Sequence, residues 1–281
     1  MPARVALVTG ASTGIGEATA RALAGDRRSG PRPELVLVAR RESRLQELAA
    51  ELGGATVIAA DLADPESHQR IAEIVRREHG ALDLLVNNAG ARWPGTFADT
   101  GWENVARHLS IDLEAPVRLT EALLPLLRET AAARSAGRDD SPAHPVSIVN
   151  VASTAARIGR PGAGGYSAAK FALAGWSDSL HAEEHAHGIH VGLVLPGFVQ
   201  TEGFPAEELL ASRRTRWIVA RPELAAEAIL QAAGWGERRP RAEVYVPRPY
   251  AVMAALRILV PGLVRRATRT GAFTPAARPR D

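Results

Sequence analysis

Seven short apolar runs alternate with helix-length stretches through most of this chain: Val5–Thr9, Leu35–Ala39, Thr56–Ala60, Leu82–Val86, Val146–Val151, His190–Leu195 and Glu243–Val246. Each has the length of a strand, and each is apolar nearly throughout rather than at every second position. A strand of that kind is buried on both faces. Helices lying between successive strands supply the cover and require parallel pairing, because a tight hairpin leaves no room for them. The pattern predicts an α/β fold built on a doubly wound parallel sheet, with ligands at the carboxyl ends of the strands. A chain of 281 residues, 46% of them hydrophobic, can build one such core, and no internal repeat or second core is visible. Ala131–Pro145, with its run Ser135-Ala136-Gly137-Arg138-Asp139-Asp140-Ser141-Pro142, reads as a mobile surface insertion before a buried strand.

Of the 34 basic residues only one is lysine, Lys170, and it stands four positions after Tyr166 in Tyr166-Ser167-Ala168-Ala169-Lys170. A bias that favours arginine almost everywhere should spare a lysine where a guanidinium cannot serve. At i and i+4 of a helix the two side chains share a face. A free tyrosine is a poor acid or base at neutrality, and a neighbouring cation favours its phenolate. Lysine is also a compact, rotatable donor, whereas the arginine fork is shaped for carboxylates and phosphates. The pair therefore suits proton transfer.

The first strand runs into Thr9-Gly10-Ala11-Ser12-Thr13-Gly14-Ile15-Gly16, followed by a helical pattern through Ala24. Gly10, Gly14 and Gly16 let the backbone approach a pyrophosphate, and the helix start after Ser12 and Thr13 offers free N–H groups and the positive end of its dipole. After the second strand, where a carboxylate would hold ribose hydroxyls, stand Arg40 and Arg41. Arg40, helped by Arg41 and Ser12, can pair with a 2′-phosphate, so NADP(H) is expected in preference to NAD(H), with Arg41 more exposed to solvent than Arg40. Asp61 and Leu62 end the third strand where an adenine would lie. Asn88, Ala89 and Gly90 end the fourth, small enough for close backbone approach.

Together these motifs, over roughly residues 4 to 247, resemble the classical short-chain dehydrogenase/reductase family. The resemblance implies a Rossmann-fold oxidoreductase in which Tyr166 is the general acid/base, Lys170 favours its phenolate and binds the nicotinamide ribose, and Ser153 orients the substrate oxygen. It also implies that Pro196, Gly197, Val199 and Thr201, in Pro196-Gly197-Phe198-Val199-Gln200-Thr201, hold the nicotinamide carboxamide, with Ile15 against the ring. A homodimer or homotetramer is implied as well. One position departs from the family pattern: Ile111-Asp112-Leu113 carries aspartate where asparagine is usual. Asp112 is a fourth candidate catalytic residue, either keeping the usual water network through its backbone carbonyl or attracting Lys170 with its carboxylate.

Arg92, Trp93, Ile158, Arg160, Phe198, Phe204 and Trp217 are candidate walls of a pocket for a lipophilic ketone or secondary alcohol, and Gly203 and Pro205 could bound a lid over it. No metal site is expected: His181 and His185 lack the glutamate of the zinc-protease pattern and read as an exposed helix end. The chain has no cysteine, so disulfides and thiolate chemistry are excluded. Its first residues carry no secretory pattern, and a cytoplasmic enzyme is expected.

The family-like domain is expected over 1–247, followed by a basic amphipathic extension over 248–281. In Pro249–Arg269, Val252, Met253, Leu256, Leu259, Val260, Leu263 and Val264 recur at helical spacing, punctuated by Arg257, Arg265, Arg266 and Arg269. Docking on the protein's own core or on a second subunit is favoured over contact with an acidic membrane surface, and nothing points to nucleic acid. Two other readings stay open at this level: a regulator that binds NADP(H) without turnover, and a peripheral membrane protein.

Overall fold

The structure, a computed structural model, describes residues 3–26, 31–136, 145–204, 206–213, 215–236 and 238–269. Along them run β1 (Val5–Thr9), α1 (Gly14–Gly25), β2 (Glu34–Ala39), α2 (Glu42–Glu51), β3 (Thr56–Ala59), α3 (Pro65–His79), β4 (Leu84–Asn87) and α4 (Phe97–Leu109). A π-helical turn over Ser110–Glu114 leads into α5 (Ala115–Ala136), then β5 (Val146–Val151), α6 (Gly164–Glu184), β6 (Ile189–Pro196) and β7 (Phe198–Val199). α7 (Glu207–Ala211), β8 (Val219–Ala220), α8 (Pro222–Ala233), β9 (Glu243–Val246), α9 (Tyr250–Leu259) and α10 (Pro261–Arg269) follow.

All seven expected strands form, and they join one parallel sheet in the order β3-β2-β1-β4-β5-β6-β9. β7 and β8 form a separate short parallel pair. Alternate residues of each strand feed opposite faces. Ala6 and Val8 of β1, Leu35 and Leu37 of β2 and Val86 of β4 meet buried residues of α1, α2 and α8. Val5, Leu7, Val36, Val38 and Leu85 meet those of α3 and α5 on the other side, where α6 also packs through Leu173 and Ala174. This two-sided burial is why the strands read as continuous apolar runs. The order reverses between β1 and β4, and the carboxyl ends of those strands diverge into the crevice where such folds bind ligands.

Ala131–Ala136 belongs to α5, contrary to the expected surface insertion, while residues 137–144 lie outside those described. Alanine favours continued helix, and Arg134 fastens the last turn to buried Asp83 through hydrogen bonds of 2.9 and 3.0 Å. The expected exposed histidine helix end is also only partly found. His181 bonds Val191 O at 2.9 Å, and its ring meets that of His190 edge-on at 5.3 Å. The helical pattern from Pro249 onward forms two helices rather than one. They break at Val260, whose φ of −134° leaves the helical region, because Pro261 disfavours helix in the residue before it. α9 buries Tyr250 and Ala254 and exposes Val252, Ile258 and Leu259. No helix among the described residues is long and apolar enough to cross a membrane.

Candidate active site

The carboxyl ends of β1 and β4 are tied together. Thr9 Oγ1 donates to Val86 O at 3.2 Å and accepts the N–H groups of Asn88 and Ala89, each at 2.9 Å, while Asn88 Nδ2 donates to Thr9 O at 2.8 Å. Gly10 turns the chain at φ +66°, where a Cβ would stand 2.9 Å from Asn88 Nδ2 and 3.0 Å from Ala89 Cα. α1 then begins after Thr13, whose side chain makes no capping bond to the first turn, so the helix's leading N–H groups remain available to an anion.

A cleft of about 960 Å³ opens over this junction. Of the expected cofactor residues, Gly10, Ser12, Thr13, Gly14, Ile15, Arg40, Arg41, Asp61, Leu62, Asn88, Ala89, Gly90, Pro196, Gly197, Val199 and Thr201 line it. Gly16 does not. Its Cβ would fall 2.2 Å from Gly10 O, so its smallness lets helix and turn pack together. Arg40 is exposed at the rim. Arg41 is exposed, as expected, and also reaches the glycine turn, 3.4 Å from Ser12 Oγ, and pairs with Glu202 at 3.1 Å. That hydrogen bond and the guanidinium charge hold the Glu202 carboxyl below the usual carboxylate range. Glycine turn, open helix terminus and paired arginines fit a nicotinamide dinucleotide by size and by charge.

At the other end the cleft reaches Ser153, Tyr166, Lys170 and Asp112. Tyr166 lies in the first turn of α6 with Lys170 a turn later on the same face, its Nζ 5.8 Å from the phenol ring centroid. Ser153, just past β5, accepts the Ala155 N–H at 3.1 Å and donates to Pro196 O at 3.3 Å. It is therefore a turn cap as well as a cleft residue.

Lys170 Nζ donates to Val151 O at 3.1 Å and pairs with Asp112 Oδ1 at 3.2 Å. Of the two roles open to Asp112, the contact made is through its carboxylate. Asp112 Oδ2 is bonded in turn by His108 Nδ1 at 2.9 Å, and the His108 ring lies edge-on to Tyr166 at 5.6 Å. Lys170, Asp112 and His108 are all buried. The π-helical turn carries Asp112 into this position at the end of α4; such turns often mark functional sites. His108 was absent from the sequence reading, although a histidine and an aspartate at i and i+4 were visible there.

On the substrate side, Arg92, Trp93, Arg160, Phe198 and Phe204 line the cleft as expected, joined by Arg107 and Gly203. Ile158 and Trp217 do not line it. Pro205 lies outside the described residues. Among those residues, no group of three or more histidine, cysteine, aspartate or glutamate side chains is placed to hold a metal.

A doubly wound parallel sheet with a glycine turn after its first strand, crossed by a cleft at the switch point, defines an α/β nucleotide-binding protein. The short chain dehydrogenase family model matches residues 4–208, and the chain belongs to that family of oxidoreductases. It is 30% identical over 234 residues to "Ketoacyl reductase HetN" of Nostoc, covering 82% of this chain and 75% of that protein. It also matches a short-chain dehydrogenase from Streptomyces avermitilis at 28% identity and TM-score 0.75, covering 98% of this chain and 99% of the other. A metagenomic short-chain oxidoreductase in complex with NADP matches at 28% identity and TM-score 0.67, over 86% of this chain and 96% of the other.

Proposed function

We propose that this protein interconverts a ketone and a secondary alcohol with NADP(H), Tyr166 exchanging the proton. One observation carries the reading: Tyr166 and Lys170 share a face of α6 and open, beside Ser153, onto the same cleft as the glycine turn. When bound, the nicotinamide supplies the hydride. Tyr166 gives a proton to the carbonyl oxygen in reduction and takes it back in oxidation. Ser153 steers that oxygen by turning its hydroxyl from Pro196 O toward it. Lys170, fixed between Val151 O and Asp112, keeps a positive charge beside the phenol, which favours a developing phenolate.

The preference for NADP(H) rests on Arg40 and Arg41 after β2 and on Ser12 beside Arg41. The metagenomic relative's complex with NADP supports the binding of a nicotinamide dinucleotide.

The test is NADPH oxidation at saturating cofactor across aromatic, aliphatic and quinone carbonyls, with NADH and Tyr166→Phe as controls. Turnover that falls about 10²–10⁴-fold in Tyr166→Phe is expected. Unchanged turnover in that variant would remove Tyr166 from the chemistry. Tight NADPH binding with no reaction on any carbonyl would favour a cofactor-binding regulator.

A further inference from the structure

The substrate end of the cleft is unusually cationic. Arg92, Arg107 and Arg160 all line it, each beside an aromatic ring: Arg160 is 4.9 Å from the Phe198 centroid, Arg92 5.7 Å from Phe204 and Arg107 4.3 Å from Trp93. Phe198 and Phe204 stack on each other at 5.4 Å, so Arg160 and Arg92 flank one aromatic platform. The three cleft carboxylates are engaged or distant: Asp112 holds Lys170, Glu202 holds Arg41, and Asp61 lies at the adenine end. Among the described residues no carboxylate pairs with Arg92, Arg107 or Arg160.

Arg160 is the most constrained of the three. Its guanidinium is pulled below the usual arginine range, first by burial and then by the positive charge of Arg92, and it senses the phenols of Tyr250 and Tyr166. Half-buried Arg160 lies beside the like charge of exposed Arg92 without a counter-charge, so it is repelled and it loses hydration. Stacking on rings explains where each guanidinium rests but not why a half-buried arginine has a second arginine as its neighbour. An arginine fork in a partly dry site is well matched to carboxylate or phosphate oxygens.

We propose that the substrate of this enzyme carries an anionic group, a carboxylate or a phosphate ester, which Arg160 and Arg92 hold at the aromatic end of the cleft while its carbonyl faces Ser153 and Tyr166. The inference rests on taking Ser153 and Tyr166 as the reacting end. It refines the expected lipophilic substrate into an amphiphilic one, with an apolar body along Phe198, Phe204 and Trp93 and a charged terminus at the arginines. The positive charges also draw such a molecule toward the cleft at low ionic strength.

The experiment uses three ketones of one shape: 4-acetylbenzoate, 4-acetylphenyl phosphate and the neutral methyl 4-acetylbenzoate. They are compared on NADPH-saturated enzyme, so that Arg40 and Arg41 are already engaged. At least one of the two anions is expected to show kcat/KM at least about tenfold above the ester, chiefly through KM, equivalent to about 1.4 kcal/mol, and the preferred anion identifies carboxylate or phosphate. In Arg160→Gln, and further in the double variant with Arg92→Gln, the anion-to-ester ratio should collapse toward one. Arg160→Glu should reverse it.

Equal handling of ester and both anions by the wild type, or a ratio that survives the double variant, would overturn the proposal. If none of the three turns over, the same comparison is made by binding, following NADPH fluorescence of the holoenzyme. Arginine-dependent binding of an anion supports the proposal, and binding indifferent to charge overturns it. Tyr166→Phe separates the two readings. Loss of turnover with no anion preference defeats the anion site alone, whereas an arginine-dependent preference with turnover unaffected by Tyr166→Phe defeats the assignment of Tyr166 alone.

Discussion

Lys170 Nζ stands 3.2 Å from Asp112 Oδ1 in a pair from which water is almost wholly excluded. The other Asp112 oxygen is taken by His108, and Oδ1 also accepts the Ala91 N–H at 3.3 Å. The cation beside Tyr166 is thus fixed by a carboxylate that is itself fixed on both oxygens. Gly90 closes the arrangement, since a Cβ there would lie 2.6 Å from Asp112 Oδ1.

Breaking a buried ion pair from one side leaves an uncompensated charge, at a cost of about 3–5 kcal/mol. Asp112→Ala is therefore expected to lower the unfolding free energy by about that much in urea titrations. Asp112→Asn, which keeps an oxygen acceptor for Lys170 and Ala91, should cost clearly less. His108→Ala should fall between them, because the carboxylate loses one bond and keeps its cation. Equal urea midpoints for all three variants and the wild type would show that the pair contributes nothing to stability.

The parts of this arrangement differ in how plainly they can be read from the chain. Val5–Thr9 and Val146–Val151 could be bounded to the residue because burial on both faces keeps them apolar nearly throughout, and Ser147 and Asn150 inside the second are buried with hydrogen-bond partners in Ala233 O and Ser177 Oγ. Tyr166 and Lys170 were legible because helical spacing alone puts them on one face. The bond between Asp112 and Lys170 was legible only as one of two options, since it depends on how the π-helical turn after α4 meets α6. Arg107 was not legible at all: its place beside Trp93 depends on the path of the loop between β4 and α4, which no periodicity describes. The end of α5 was misread because a Gly/Ser/Asp-rich run follows directly on its last alanines.

Gly16 tests the glycine turn by sterics alone. A methyl group at this position would meet Gly10 O at 2.2 Å, a backbone atom at the end of β1 that has no freedom to swing aside. Overpacking of this kind costs about 1–3 kcal/mol, and here the displaced segment is the turn that borders the cleft. Gly16→Ala is expected to weaken NADPH binding at least about tenfold by fluorescence titration. Gly25→Ala is the control, because its Cβ would meet nothing within 4 Å.

Arg40 and Arg41 should separate the two dinucleotides. A charge-assisted hydrogen bond contributes about 1.5–3 kcal/mol, so Arg40→Ala should raise the Kd for NADPH by about 10–100-fold and that for NADH far less. Arg41 already shares its charge with Glu202, and a phosphate would compete with that carboxylate. Arg41→Ala should therefore cost less than Arg40→Ala, and Glu202→Gln should tighten NADPH binding. Parallel losses for NADPH and NADH in Arg40→Ala would remove the phosphate from the account.

Tyr250 joins the C-terminal helices to the loop after β6. Its ring fills the space a Cβ on Gly197 would need, with Cε2 only 2.1 Å from that point, and its hydroxyl donates to Ile218 O at 3.3 Å. Burial pushes the phenol up to about 12 from 10.0. The folded state therefore holds a proton that the unfolded chain releases near pH 10. The resulting stability is complete below pH 10 and is lost as pH rises toward 12. Tyr250→Phe removes the titrating group and one hydrogen bond, for a neutral-pH loss of about 1 kcal/mol. Tyr245, also raised to about 12 by burial, titrates in both proteins and cancels in the comparison. Measured by urea denaturation from pH 8 to 12, wild type should start more stable and fall more steeply, so the two curves approach and then cross within that range. Parallel curves across that range would mean that Tyr250 ionises as easily in the folded protein as in the unfolded chain.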